Sequence, residues 1–84
     1  MNNKEPWWAY KLMCTILYGS HSSITYTSDG YTHVATGDFC SWAKIPSVRL
    51  RKYLEICQDM DMIEDLKLYH GLAVFKIVRP ESFQ

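Results

Sequence analysis

The chain has 84 residues, nine basic and nine acidic side chains, a formal net charge of zero and a sequence pI near 6.8. This length allows one small domain, and an apolar fraction of 48% is typical of a globular chain rather than a disordered one. The charge balance excludes a polybasic protein that coats nucleic acid.

The sequence also bears on the compartment. No apolar run approaches the ~20 residues that cross a bilayer, and the first residues do not form a signal peptide, so no membrane partner is expected. The three cysteines are odd in number and widely spaced, which argues against a disulfide framework. We therefore expect a cytoplasmic protein.

The first predicted element is a helix over residues 6–18, preceded by a loose, polar segment, 1–5. Pro6 suits the first position of a helix, and apolar residues recur at helical spacing from Trp8 onward. Gly19 is predicted to end this helix, because glycine readily adopts the left-handed conformation that closes helices.

Residues 22–35 alternate polar with β-branched or aromatic side chains on both sides of Asp29-Gly30. This dipeptide is preferred in tight turns that need a positive φ. The segment therefore predicts either a small hairpin or a loop that leads into one strand over 31–35, and at least the second strand is favoured.

Two short helices are predicted next. Helix 2 spans 37–44, with Thr36 as its N-cap and Asp38 in its first turn, where a carboxylate complements the helix dipole. Pro46 disfavours helical geometry at the residue before it, so a second helix, helix 3, begins after it and spans 47–60. The side chains expected to face inward from these two helices are Phe39, Trp42, Ala43, Leu50, Tyr53, Leu54 and Cys57.

The last predicted element is a hairpin over residues 66–78, because two alternating segments flank a tight turn at His70-Gly71. Pro80 ends it, and residues 80–84 form a tail. The predicted fold class is α+β, with three helices, a C-terminal hairpin, and a short strand or hairpin between the first two helices.

Residues 39–63 resemble the helix-turn-helix core of small bacterial and phage regulators, and the order of the elements resembles that of the winged helix-turn-helix family. The residues that carry the resemblance are the large–small pair Phe39-Cys40, Ala43 near the end of helix 2, Ile45 in the turn, the apolar anchors Leu50, Leu54 and Cys57, and the exit Asp61-Met62-Ile63. The chain departs from the family pattern at Lys44 and Asp61, where glycine is usual, and at Pro46, where Ser or Thr usually caps helix 3.

The resemblance implies sequence-specific binding of double-stranded DNA, typically in transcription regulation, with helix 3 in the major groove. A helix about 10–12 Å wide fits a groove ~12 Å wide. Charge favours this interpretation: no acid occurs between Phe39 and Leu54, whereas the bases of helix 3 lie on or beside the face opposite its apolar anchors. The predicted DNA-binding residues are Lys44, Ser47, Val48, Arg49, Arg51, Lys52 and His70.

A second interpretation stays open, in which the domain has lost DNA binding and is a protein-interaction module, such as an assembly factor or an inhibitor of a polymerase or replication protein. The zero net charge and the acidic second half of helix 3 favour it. Trp7 and Trp8 cannot both face inward, since adjacent helical residues diverge by about 100°. They indicate a homodimer through helix 1 or, alternatively, packing onto the C-terminal hairpin.

The sequence offers little for catalysis. It has no Gly-rich phosphate loop and no evident nucleophile–base pair, and its His and Cys residues lack the short spacings of a structural zinc site. Cys40 and Cys57 fall at core positions of the helix-turn-helix, where packing is their expected role. We therefore expect no enzymatic activity, no metal and no cofactor.

Overall fold

The computed structural model describes residues 7–19 and 21–78, apart from the side chains of Trp7, Ala9 and Tyr10. This part of the chain has three helices and a four-stranded antiparallel sheet, in agreement with the predicted α+β class. In chain order the elements are α1 (Trp7–Tyr18), β1 (Ile24–Tyr26), β2 (Tyr31–Ala35), α2 (Thr36–Ala43), α3 (Ser47–Asp59), β3 (Ile63–Tyr69) and β4 (Leu72–Ile77). The predicted loose segment 1–5 and tail 80–84 lie outside it, and none of the helices in it is both long and apolar enough to span a bilayer.

Helix α1 ends at Tyr18, as expected, but the reason differs from the predicted one. The glycines with positive φ in the described residues are Gly30 and Gly71, so Gly19 does not take the left-handed closing conformation. A Cβ at Gly19 would lie 2.4 Å from the carbonyl oxygen of Thr15 and 2.7 Å from the ring of Trp42. Glycine is therefore needed here for the close approach of α2 to the end of α1.

The sheet has the strand order β1-β2-β4-β3. Strands β1 and β2 pair around Gly30, which has a φ of 90°. Of the two predicted alternatives for this segment, the hairpin is therefore the one that forms. Strand β2 also pairs with β4, and β4 pairs with β3 around Gly71, which has a φ of 80°. The segment before helix α2 is thereby joined to the C-terminal hairpin in one sheet.

Strand β3 begins at Ile63 rather than at residue 66 as predicted. The register shifts between Glu64 and Lys67, and Asp65 within this bulge has a φ of 60°. A bulge breaks the period-two alternation by which strands are read from sequence. The hydroxyl of Tyr31 on β2 donates to the Asp65 carboxylate, so the bulge is connected across β4 to the strand on the other side of it.

Helix α2 begins directly after β2, one residue earlier than predicted. Its N-cap is Ala35 and no side chain caps it, so the assignment of Thr36 as the cap is wrong. The backbone N–H of Thr36 instead donates to the carbonyl of Gly71 at 3.1 Å. Because the helix follows β2 without a loop, this hydrogen bond fixes its first turn against the β3–β4 turn.

Helices α2 and α3 are joined by the short turn Lys44–Pro46. Lys44 closes α2 in the left-handed conformation, with φ 61° and ψ 46°, and Pro46 is the extended N-cap of α3. Helix α3 ends at Asp59, one residue before the predicted boundary, with Met60 as its C-cap.

The core lies between the helices and one face of the sheet. Its largest fully buried side chains, all less than 2% exposed, are Met13, Ile16, Val34, Phe39, Leu50, Leu54, Cys57, Ile63 and Phe75. Phe39, Leu50, Leu54 and Cys57 were expected there. Trp42 was expected to face inward, but it is 40% exposed.

Candidate nucleic-acid interface

Helix α3 has one apolar and one basic face. Leu50, Leu54 and Cys57 are fully buried, so they fix the helix against the rest of the domain. The side chains exposed on its first two turns are those of Ser47, Val48, Arg49, Arg51 and Lys52. Val48 is 78% exposed and lies among these polar and basic side chains. Helix α3 is thus packed into the domain by its apolar face and presents its cations to solvent on the opposite side.

The cations of this face have no ionic partner within the described part of the chain. The ion pair found there joins Lys67 to Asp65 at 3.9 Å, on strand β3. Neither Asp59 nor Glu64 pairs with Arg49, Arg51 or Lys52. Since an unpaired surface guanidinium or ammonium loses no intramolecular contact when an anion arrives, this face is available to phosphates.

The turn before α3 adds a further exposed cation, Lys44. Its backbone is left-handed, with a φ of 61°, and Asp61 at the exit of α3 has the same φ. The backbone N–H of Ile45 donates to the carbonyl of Cys40 at 3.1 Å, so the turn is held to the end of α2. Lys44 is therefore presented on a fixed turn beside the start of α3.

A cleft of about 170 Å³ separates the start of α3 from the β3–β4 turn, and its lining residues are Thr36, Ser47, Arg51, Leu68, Tyr69, His70 and Gly71. It brings together three predicted binding residues, Ser47, Arg51 and His70, although the last lies about 20 positions from the others along the chain. Tyr69, which is 54% exposed, was not predicted. The one sequence signal for Tyr69 is its place directly before the predicted His70-Gly71 turn.

The dimer prediction fell on Trp7 and Trp8. The Trp7 side chain lies outside the described residues. The Trp8 ring stacks on Tyr53 of α3, with centroids 4.0 Å apart and planes at 20°. This contact is with a helix and not with the C-terminal hairpin that the alternative named. Dimerisation through α1 stays a prediction.

Two of the cysteines, Cys40 and Cys57, are buried in the core. Burial raises the pKa of the Cys57 thiol to about 11 and also raises the pKa of the Cys40 thiol, so both stay protonated and poorly nucleophilic near neutral pH. Over residues 7–19 and 21–78, no three His, Cys, Asp or Glu side chains are grouped as a metal site requires.

Comparisons of this chain with protein-family models, with curated proteins and with solved structures give no match. Its function is therefore inferred from the geometry of its own residues.

Proposed function

We propose that this chain is a small winged helix-turn-helix protein that binds double-stranded DNA sequence-specifically and regulates transcription, with α3 in the major groove. The observation that carries the proposal is the exposed, unpaired set of Arg49, Arg51 and Lys52 on a helix whose opposite face is buried. A helix held in this way is what insertion into the major groove requires.

The arrangement around α3 supports this assignment. Helices α2 and α3 are joined by a three-residue turn, Lys44–Pro46, and the left-handed residues Lys44 and Asp61 stand where the family usually has glycine. In this interpretation the β3–β4 hairpin is the wing, and β2 is the strand that anchors it beside α2. Strand β1 extends the sheet by one edge strand.

The proposed contacts divide by chemistry. Arg49, Arg51 and Lys52 reach base edges and phosphates, and the exposed methyl groups of Val48 suit the methyl group of a thymine. Ser47 at the start of α3 and Lys44 in the turn bind phosphates, which position a protein on the duplex without reading its sequence. His70 at the tip of the wing completes the cleft that Ser47 and Arg51 line.

The two halves of helix α3 differ in charge, and this difference orients the helix relative to DNA. Its first half has no acidic residue, whereas Glu55 and Asp59 in its second half are exposed carboxylates. Phosphates attract the first half and repel the second. The helix therefore enters the groove with its N-terminal end first.

Replacement of Arg49, Arg51 and Lys52 together by alanine tests the proposal. We expect the triple variant to keep its thermal transition, because all three side chains are exposed, and to lose retardation of a random-sequence duplex pool at about 50 mM salt. The matched control is Lys11→Ala, Lys67→Ala and Lys76→Ala, which removes the same charge from other elements and is expected to retain binding.

Equal retardation of the wild type and the folded triple variant would contradict the assignment. If the wild type fails to retard duplex DNA even at this salt concentration, DNA binding is wrong, and the protein-interaction module becomes the better description.

A further inference from the structure

The cleft between the start of α3 and the β3–β4 turn has the size of a site for one small group. Its volume is about 170 Å³, whereas sites for drug-sized molecules in proteins have volumes of about 300–1,000 Å³. Ser47 and Arg51 line the cleft from α3, and Tyr69 and His70 line it from the β3–β4 hairpin. A compact ion therefore suits this cleft better than a ring system does.

These four exposed residues bring hydrogen-bond donors that no group in the described part of the chain occupies. The side chains of Ser47, Arg51, Tyr69 and His70 have no hydrogen bond, ion pair or ring contact there. None of the described residues that line the cleft has a carboxylate. The cleft therefore favours an anion that has several acceptor oxygens, and a phosphate group has this chemistry.

The two sides of the cleft are held together by the backbone. The N–H of Thr36, at the start of α2, donates to the carbonyl of Gly71 at 3.1 Å, which joins α2 to the β3–β4 turn. Helix α2 leads through the turn Lys44–Pro46 into α3, and Leu50 fixes α3 in the core. The residues of α3 and of the hairpin therefore lie side by side before an anion binds.

Histidine is the residue type in this cleft whose charge changes near neutral pH. Imidazole gains a proton between about pH 8 and pH 5, whereas a guanidinium stays charged and a phenol stays neutral over this range. Of the described residues that line the cleft with His70, Arg51 of α3 is charged, Thr36 of α2 is not, and Tyr69 precedes His70 in the hairpin. A phosphate close to an imidazole favours its charged form, because opposite charges attract.

We propose that this cleft holds one backbone phosphate of the bound DNA and that protonation of His70 strengthens the contact, so that DNA affinity rises as pH falls. The inference rests on the proposed DNA binding and adds a form of regulation to it. Arg51 from α3 and His70 from the wing meet the same phosphate. Binding then takes up at most one proton at this site, which limits the change in affinity to about tenfold per pH unit.

Fluorescence anisotropy at constant salt, with a duplex that lacks terminal phosphates, tests the pH dependence at about pH 6 and pH 8. We expect wild type to bind at least about threefold more tightly at the lower pH, and His70→Gln to change by less than about 1.5-fold. His70→Lys, which is charged at both pH values, should bind at pH 8 about as tightly as wild type does at pH 6.

The matched control is His33→Gln, which removes an imidazole of β2 that does not line the cleft and should keep the wild-type ratio of affinities. Thermal unfolding at both pH values verifies that each variant is folded.

A double-mutant cycle tests whether the two side chains share one phosphate. At pH 6, Arg51→Ala combined with His70→Gln should lose at least about threefold less affinity than the product of the two single losses. Independent losses would mean that the two side chains contact different phosphates, and they would overturn the proposal. A His70→Gln variant with the wild-type pH dependence would overturn it too. If wild type binds no DNA at either pH, the proposed function fails together with this inference, whereas binding that does not change with pH overturns this inference alone.

Discussion

Lys44, in the turn between α2 and α3, and Asp61, just after α3, hold left-handed backbone conformations with a φ of 61°. This conformation costs an L-residue roughly 1–2 kcal/mol, which glycine avoids. Asp65 in the β3 bulge, with a φ of 60°, is a third residue with this strain, but only Lys44 lies in the turn directly before α3. A reason for keeping lysine in the turn is the charge that it brings to the proposed DNA interface.

Lys44→Gly should raise the free energy of unfolding by about 0.5–1 kcal/mol and at the same time weaken DNA binding, because the variant loses strain together with one phosphate contact. Asp61→Gly is the matched control, expected to be stabilised similarly without loss of DNA affinity. Denaturant unfolding and fluorescence anisotropy with labelled duplex measure the two effects. A stabilised Lys44→Gly variant with wild-type affinity would remove Lys44 from the interface.

Cys57 makes the free energy of unfolding depend on pH in the alkaline range. Its pKa in the folded chain is raised to about 11 by burial, whereas an unfolded thiol titrates near ~8.5. The unfolded chain therefore loses this proton first, and stability falls as pH rises from about 9 towards 11, by about 1.4 kcal/mol per pH unit. At lower pH both states keep the proton, and the contribution is constant.

Cys57→Ala should therefore show a flatter decline of unfolding free energy between pH 9 and 10.5 than wild type, by about one proton in slope. The raised pKa values of Tyr26 and Tyr31 act in the same direction in both proteins and cancel in the comparison. Denaturant unfolding at several pH values measures the slopes, and parallel slopes would mean that Cys57 ionises alike in both states.

At the scale of elements, the contact between the end of α1 and helix α2 depends on the absence of a side chain at Gly19. Gly19→Ala places a methyl group against the Thr15 carbonyl and the Trp42 ring, and we expect it to cost about 1–3 kcal/mol of stability. Gly37→Ala is the control, since a Cβ there meets nothing within 4 Å and alanine favours the helix. Thermal unfolding should separate the two variants by several degrees, and equal transitions would contradict the close packing.

Helix α3 and its neighbouring turns were predictable because their signals are local. Apolar residues at Leu50, Leu54 and Cys57 repeat at helical spacing, and Pro46 marks the start of the helix. Pro46 also marks the turn before α3, because the residue before a proline avoids helical geometry. A local pattern of this kind needs no knowledge of the rest of the fold.

Features that depend on distant partners were not predictable in this way. The bulge around Asp65 is held by Tyr31 from another strand, so the alternation in β3 gives no sign of its true start. Thr36 looks like an N-cap, but its backbone N–H bonds to Gly71 and Ala35 takes the cap position. Likewise, no spacing in the sequence indicates that Trp42 stacks on His21.

At the scale of the whole molecule the net charge is zero, but basic and acidic side chains lie in different regions. The bases of the turn and the first half of α3 lie close together, whereas acids occupy the second half of α3 and the start of β3. A neutral protein gains little from long-range attraction to DNA, so the proposed binding depends on a few close phosphate contacts. The slope of log K against log salt measures the number of those contacts.

Four cations are expected to reach phosphates from one copy of the chain: Lys44, Arg49, Arg51 and Lys52. Each neutralised phosphate contributes ~0.9 to the slope of log K against log salt, so one copy should give a slope of about −3.5, and a dimer on two half-sites should double it. Anisotropy titrations between 50 and 250 mM salt measure the slope, and sedimentation of the complex gives the number of bound copies.

Each single variant, Arg49→Ala, Arg51→Ala or Lys52→Ala, removes one cation from this set, so its slope should be shallower than the wild-type slope by about 0.9 per copy. A wild-type slope shallower than about −1.8 per bound copy would mean that fewer than half of these cations meet phosphates. Helix α3 would then not lie in the groove with its basic face towards the backbone, because that placement brings its cations and Lys44 to the duplex together.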